Sequence, residues 1–351
     1  MNYCMSWRRR VIACIGGILL LAAGLSPAPL LAQSKEETIR IAYNLPKDHA
    51  TGLYFETLAQ EIEKNTANTP IRIKARTFPN GQIYNDTQLS DAVSTGVLNI
   101  GQMNPGFINS PDVEALRFWG LPFTFASWDA LWYAEDNQAF GGIFESQFNK
   151  LGMHLLGWAS YGTVEFYASK PIKLPGDIKG LRLRAFGVDT SMLIRDLGGS
   201  PVSMSSQEMY QAVQRGTIDG FITGPTSVHS RKLYEVAKHG TAVGIQYLSF
   251  PATVNLKWWN SLPPEVKAAI EKASAAAQQK SRARAKEDDG HANEQLAKLG
   301  VSLPALTAAE HAQWVSAAGK RVSEFVQKSG ETGHKLLAVA QEANAKFPAK
   351  R

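Results

Sequence analysis

Two arginines alternate with two leucines in the segment Leu181-Arg182-Leu183-Arg184. In an extended strand, this alternation places both leucines on one face and both arginines on the other. A central strand of an α/β sheet is usually apolar on both faces, so Arg184 must reach water, a partner acid such as Asp219, or a ligand. Ligands of open α/β sheets bind beyond the carboxyl ends of the strands, where a guanidinium can hold a carboxylate with two parallel hydrogen bonds. From these residues alone, a structural ion pair and a ligand carboxylate are equally good partners for Arg184.

No local motif indicates a catalytic or metal centre. The sequence has no phosphate-binding P-loop, no His-Glu-x-x-His zinc motif and no Gly-x-Ser-x-Gly nucleophile elbow. Its 7 histidines are scattered without metal-ligand spacing, so we predict no metal and no cofactor. The 2 cysteines, Cys4 and Cys14, both lie near the N-terminus. These observations favour a binding protein over an enzyme, although a catalytic triad need not be local in sequence.

The first 32 residues have the pattern of a secretory signal peptide. Three arginines at positions 8–10 precede an apolar run over 11–25, and small residues follow as far as Ala32. The apolar run is shorter than the ~20 residues that cross a bilayer, which argues against an uncleaved anchor. The apolar run also continues beyond Cys14, whereas a lipidated cysteine would close it. We therefore expect cleavage after Ala32, export to the periplasm and a mature chain without thiols.

Composition and charge narrow the class of protein further. A hydrophobic content of 44% is typical of a globular protein. Half of the formal net charge of +6 comes from the three N-terminal arginines, and no Lys/Arg block follows. Nucleic acid is therefore not an expected partner. A chain of 351 residues is too long for one ordinary core, which predicts two lobes.

Strand-like and helix-like segments alternate along the chain, and this order predicts parallel sheets covered by helices. Crossovers between parallel strands should be right-handed. From Pro263 onward the chain is predicted to be almost entirely helical, with one helix running to Asp289. The predicted strands are 38–43, 71–75, 98–103, 153–158, 164–168, 181–185, 219–222, 241–245 and 252–255, and the earlier predicted helices are 53–64, 86–97, 191–197 and 207–215.

Several segments, in order and with near-constant spacing, resemble the solute receptors of tripartite ATP-independent periplasmic (TRAP) transporters, the DctP-like family. They are Trp-Gly-Leu-Pro-Phe-Thr-Phe at 119–125, Leu-Pro-Gly-Asp-Ile-Lys-Gly-Leu-Arg-Leu-Arg at 174–184, Leu-Gly-Gly-Ser-Pro-Val-Ser-Met at 197–204, and Glu-Met-Tyr-Gln-Ala-Val-Gln-Arg-Gly-Thr-Ile-Asp-Gly at 208–220. The resemblance runs from Ile39 to the C-terminal helices.

The resemblance implies an α/β fold with the two lobes of a periplasmic binding protein. Each lobe is then a mainly parallel sheet flanked by helices, with hinge strands between the lobes and a long helix across both. We place the N-terminal lobe at 38–161 plus 250–289. The C-terminal lobe and its packing helices are placed at 162–249 plus 290–351.

The resemblance also implies roles for single residues. The arginine of the family's Gly-Leu-x-x-Arg segment pairs with the ligand carboxylate in the cleft, and that position is Arg184. Asn44, the polar residue after the first strand, is a cleft hydrogen-bond donor. Two family anchors differ here: Val164 stands where many members have a second arginine, and Thr223 or Gly224 stands where many have an asparagine before a proline.

Aromatic residues near these positions complete the predicted site. Trp158, Tyr161 and Phe186 are expected to contact the ligand, together with Met204. Each lost charge-assisted hydrogen bond costs a polar ligand ~1.5–3 kcal/mol. An aromatic or otherwise apolar monocarboxylate, such as a benzoate-like acid, is therefore the favoured ligand. A short aliphatic keto or hydroxy acid is the alternative.

The expected mechanism is a population shift, in which the ligand bridges both lobes and so stabilises their closed form. The resemblance implies that the closed receptor delivers its carboxylate to the small and large integral membrane proteins of a TRAP transporter. Three alternatives remain: a binding protein that serves a sensor, a receptor of an ATP-driven importer, and a periplasmic enzyme on similar lobes.

Overall fold

The computed structural model describes residues 35–349, so the signal peptide expected over 1–32 lies outside the described residues. The strands in this range are β1 Lys35–Ala42, β2 Ile71–Phe78, β3 Ile100–Gln102, β4 Met153–Ala168, β5 Arg182–Ala185, β6 Ser200–Ser203, β7 Gly220–Thr223, β8 His239–Gly240 and β9 Gln246–Asn255. The α-helices are α1 Ala50–Asn65, α2 Leu89–Ser94, α3 Trp128–Glu135, α4 Gln138–Lys150, α5 Val188–Asp196, α6 Met209–Gln214, α7 Pro225–Ser230, α8 Leu256–Ser261, α9 Pro264–Lys298 and α10 Ala308–Lys346.

The strands form a 9-stranded sheet in the order β2-β1-β3-β9-β4-β7-β5-β6, with β8 paired to β4. Strands β1, β2 and β3 pair in parallel and make up what we call the first half-sheet. Strands β5, β6 and β7 also pair in parallel and make up the second half-sheet. Strands β4 and β9 are antiparallel to their neighbours and lie between the half-sheets. The expected α/β fold with mainly parallel strands is confirmed.

Strand β4 is one continuous strand of 16 residues, whereas the sequence predicted two strands. It pairs with β9 from Met153 to Val164, with register shifts between Leu155 and Gly157 and between Ser160 and Gly162. A glycine ends each irregularity, Gly157 the first and Gly162 the second. A Cβ at Gly157 would lie 2.5 Å from a serine oxygen of α9. The second shift lies beside the lobe boundaries placed at 161/162 and 249/250, which remain a prediction.

The strand predicted at 241–245 is absent, and only the short β8 precedes it. The amides of Thr241 and Ile245 still donate to carbonyls of β4, but the groups between them turn to the buried carboxylate of Glu165. Glu165 accepts hydrogen bonds from the Thr241 hydroxyl (3.0 Å) and from the amides of Val243 (2.9 Å) and Gly244 (2.8 Å). Gly244 turns the chain at φ 63°. A side chain therefore takes the donors that a strand partner would have used, which the alternating sequence does not reveal.

Two long helices complete the fold. Helix α9 extends beyond the predicted end to Lys298 and packs on α1, β4 and α7, which confirms the expected long helix across both halves. Its buried face carries small residues at every fourth position, namely Ala269, Ala273, Ala277, Ser281 and Ala285. Helix α10 begins at a capping box of Thr307 and Glu310 and breaks at Gly330. It packs on α3, α4 and α5.

The hydrophobic core occupies both faces of β4. Ala159 belongs to the cluster beneath α1 and α9, which includes Tyr54 and Ile270. The neighbouring Trp158 belongs to the cluster on the other face, which includes Phe325 of α10. Successive strand residues point to opposite faces, so β4 separates two packed layers. Within residues 35–349, no helix combines the length and the apolar content that crossing a membrane requires.

Candidate functional site

A cavity lies between the two half-sheets, beside the carboxyl ends of β1, β5 and β7. This is the place where ligands bind in open α/β sheets. Six of the eight predicted site residues line it: Asn44, Tyr161, Val164, Arg184, Phe186 and Thr223. They come from β1, β4, β5 and β7 or from the residues that follow these strands, so the sheet topology brings together positions that are far apart in sequence.

The structure places the other two predicted residues elsewhere. Trp158 lines a second cavity, where its ring packs on Phe140 and Phe144 with centroid distances of 6.1 and 5.2 Å. Trp158 and Tyr161 lie three positions apart on β4 and line different cavities. Met204 contributes its carbonyl oxygen to Arg184, while its side chain packs on the core cluster of the second half-sheet.

Arg184 is buried, with 3% of its side chain exposed. Its Nε donates to the carbonyl of Met204 (3.1 Å), Nη1 donates to the carbonyl of Ile222 (3.3 Å), and Nη2 donates to Oδ2 of Asp86 (3.2 Å). Burial lowers the pKa of the Arg184 guanidinium, and the Asp86 carboxylate opposes that shift. A guanidinium has five N–H donors, so one donor on each terminal nitrogen is still available for a carboxylate.

The sequence named Asp219 as a possible acid partner of Arg184, and that pairing is wrong. Asp219 instead pairs with Arg182 (3.0 Å), the exposed first residue of the strand. The acid beside Arg184 is Asp86, which lies 98 positions earlier in the chain. Both alternatives weighed for Arg184 are thus compatible with its geometry: it has an acid partner, and it lines the cavity with two N–H donors not used by the described protein atoms.

Polar contacts cross the cavity between the half-sheets. Asp86, from the side of the first half-sheet, accepts from the Ser205 hydroxyl (2.7 Å) and from the Ser206 amide (3.3 Å). Asn44 Nδ2 donates to the Ser206 hydroxyl (2.8 Å). Ser205 and Ser206 follow β6, in the second half-sheet. The described conformation is therefore held together at the cavity by side chains from both halves.

Arg231 lines the same cavity and was not predicted. It follows α7, and its Nη2 donates to the carbonyl of Asn44 (2.6 Å). Its Nε is buried without a hydrogen-bond partner in the part of the chain that the structure describes. Burial lowers the pKa of Arg231. No local signal marks this residue, because Ser-Arg-Lys after a short helix reads as an ordinary surface turn.

Part of the cavity lining is apolar. It is formed by Tyr161, Val164, Phe186, Leu248 and Phe250. The rings of Tyr161 and Phe250 meet edge to face at 5.2 Å, and the Arg184 guanidinium lies 5.9 Å from the centroid of Phe186. The Tyr161 hydroxyl is already engaged, since it lies 3.0 Å from Thr223 Oγ1 and accepts from the Gly224 amide (3.0 Å). This part of the lining offers ring faces and aliphatic groups rather than hydrogen bonds.

The charges that line the cavity do not cancel. Arg184 and Arg231 face one acid, Asp86, which leaves one positive charge in excess. Burial lowers the pKa of the nearby His49 to about 3, so its ring is neutral and adds no charge. Residues 35–349 contain no group of three side chains that could hold a metal ion. The chemistry of the cavity is therefore anion binding beside an apolar surface.

Comparison with known proteins identifies the family. The model described as bacterial extracellular solute-binding protein, family 7, matches residues 41–329. Over 314 residues the chain is 26% identical to the C4-dicarboxylate-binding periplasmic protein DctP of Rhodobacter capsulatus, which covers 87% of this chain and 90% of that protein. That relative is a binding protein of a transport system, not an enzyme.

Solved structures share the fold. A TRAP periplasmic solute-binding protein from Anaerococcus prevotii with bound glucuronate superposes with a TM-score of 0.82 at 21% identity, covering 89% of this chain and 99% of that one. DctP6 of Bordetella pertussis, an extracytoplasmic receptor binding pyroglutamic acid, gives a TM-score of 0.80 at 22% identity, covering 87% and 100%. These comparisons confirm the expected two-lobed binding-protein fold. The chain belongs to family 7 of the bacterial extracellular solute-binding proteins, the DctP-like solute receptors of TRAP transporters.

Proposed function

We propose that the chain is a periplasmic receptor that binds a small organic monocarboxylate with an aromatic or otherwise apolar body. The observation that carries this proposal is the position of Arg184, which is buried at the cavity with one N–H donor left on each terminal nitrogen and apolar side chains in the same lining. Two parallel N–H donors match the two oxygens of one carboxylate.

The charge of the cavity supports a monoanion. The lining carries one positive charge in excess, and one carboxylate cancels it. A second carboxylate would leave a net negative charge in a buried space, which is costly unless another cation accompanies it. The proposed ligand therefore differs from the C4-dicarboxylates in the name of the Rhodobacter capsulatus relative.

The apolar residues of the cavity lining favour a ligand whose body is apolar. Tyr161, Phe186 and Phe250 present rings, and Val164 is fully buried where many family members have an arginine. Aromatic ligands pack well edge to face or offset against such rings. A short aliphatic keto or hydroxy acid is a second candidate, because Ser206, Ser227 and Thr223 add hydroxyl groups to the cavity.

Binding should close the two halves around the ligand. A carboxylate on Arg184 lies next to the contacts of Asp86 and Asn44, which already join the half-sheets. A ligand that touches both halves binds the closed form better and shifts the population towards it. The closed receptor then delivers the acid to the small and large membrane subunits of a TRAP transporter, after export through the expected signal peptide. Service to a sensor is the alternative use of the same site.

Isothermal titration calorimetry on the purified receptor tests the proposed ligand class. The panel contains benzoates, short aliphatic keto and hydroxy acids, C4-dicarboxylates and sugar acids. We expect the tightest binding from a benzoate-like acid. Tight binding of a dicarboxylate or a sugar acid, with no binding of any apolar monocarboxylate, would contradict the proposal. Binding of short keto or hydroxy acids alone would establish the second candidate instead.

A further inference from the structure

Arg231 places a second guanidinium at the cavity, and neither the family position of Val164 nor the Arg184 site accounts for it. Within residues 35–349, the Arg231 side chain makes one hydrogen bond, from Nη2 to the Asn44 carbonyl (2.6 Å). The buried Nε has no partner within residues 35–349. A buried N–H without an acceptor destabilises a protein, so this donor calls for an oxygen that the chain itself does not supply.

The carboxylate of the ligand is not the best source of that oxygen. Its two oxygens match the two donors that remain on the terminal nitrogens of Arg184. Asp86 and one ligand carboxylate already balance the charges of Arg184 and Arg231. The acceptor for Arg231 can therefore be uncharged and can belong to another part of the ligand.

We propose that the Nε N–H of Arg231 donates to an uncharged oxygen of the ligand, a hydroxyl, carbonyl or ether group separate from the carboxylate held by Arg184. Arg231 is then a specificity-determining residue, and the ligand is an oxygen-substituted monocarboxylate rather than an unsubstituted one. This inference rests on the proposed function, since it assumes that a carboxylate occupies Arg184.

A ratio of affinities tests the inference. Dissociation constants are measured by titration calorimetry for benzoate and for 2-, 3- and 4-hydroxybenzoate, with wild-type protein and with Arg231→Met. We expect at least one hydroxybenzoate to bind the wild type about tenfold or more tightly than benzoate, as a charged donor allows. In Arg231→Met this preference should fall to within about twofold, because the methionine has no donor.

The affinity ratio separates recognition of the ligand oxygen from the effect of Arg231 on closure of the two halves. Arg231→Met also removes the contact with the Asn44 carbonyl, and that loss weakens every acid by the same factor and cancels in the ratio. Arg231→Lys is the matched variant, because it keeps the charge but lacks the Nε donor. Melting temperatures of both variants show whether they fold. If Arg231→Met does not fold, the ratio is measured with Arg231→Lys alone.

The outcomes distinguish this inference from the function beneath it. If benzoates bind and the hydroxyl preference is absent, or is unchanged in both variants, Arg231 does not read a ligand oxygen and the inference is overturned. If only short acids bind, butyrate and 2-oxobutyrate supply the same ratio. If no carboxylate binds at all, the proposed function fails and this inference fails with it.

Discussion

Arg182 and Arg184 stand two positions apart on one short strand, yet their surroundings differ completely. The Arg182 side chain is 47% exposed and pairs with Asp219, whereas that of Arg184 is 3% exposed and faces the cavity. An exposed ion pair contributes little to stability or binding. A buried guanidinium with remaining donors can contribute much more.

These two arginines give a matched pair of variants. We expect Arg184→Lys to weaken binding of the best monocarboxylate by about tenfold or more, since a lysine keeps the charge but loses the paired donors. Arg182→Lys should leave affinity within about twofold of wild type. Lysine is preferred to methionine at 184 because an unpaired Asp86 would destabilise the fold. Equal affinities for both variants, measured by calorimetry, would return Arg184 to a purely structural role.

The sequence identified six of the fourteen residues that line the cavity, including one of its three charged side chains. Sequence reasoning could find Arg184, Asn44 and Phe186 because each lies near the end of a recognisable strand. Asp86 and Arg231 were not, since they meet Arg184 and Asn44 only through the tertiary fold, across separations of 98 and 187 positions. Nothing local to either residue distinguishes it from a surface charge.

The alternation of strands and helices was predictable from the sequence. The course of β4 and of segment 241–245, between the two halves, was not. Hydrophobic periodicity located β1, β2, β5 and α1 to within a few residues. It divided β4 in two at 159–163, and it predicted a strand at 241–245. Both errors arise where Glu165 and the bulged strands replace regular pairing.

Glu165 predicts a pH dependence of stability at this connection. Burial raises its pKa to about 8, against the usual 4.5, although three hydrogen bonds to the carboxylate oppose the shift. A carboxyl whose folded pKa is raised stabilises the fold fully below pH 4.5 and loses that contribution as the pH rises through 8. We therefore expect the melting temperature to fall between pH 5 and pH 8. In Glu165→Gln this fall should be smaller, and an unchanged pH profile would assign the dependence to other groups.

The whole molecule should become more compact when the ligand binds. At a thousand times its dissociation constant, a ligand that binds only the folded state adds ~4 kcal/mol, which raises the melting temperature by several degrees. Closure of the halves should also reduce the radius of gyration in small-angle X-ray scattering. Arg184→Lys at the same ligand concentration serves as the control. A ligand that raises the melting temperature without any change in the scattering curve would show binding without closure.

The buried face of α9 limits the size of the side chains that it can carry. Small side chains at every fourth residue let this helix lie against α1 and β4, and a Cβ at Gly157 would collide with Ser274 and Tyr54. Larger residues along this contact would force the helix away from both halves at once. The cavity side chains lie elsewhere and do not support this packing. Substitutions among the cavity residues can therefore change which ligand is bound without disturbing the packing of α9. Larger side chains on the buried face of α9 would disturb both halves, whatever the ligand.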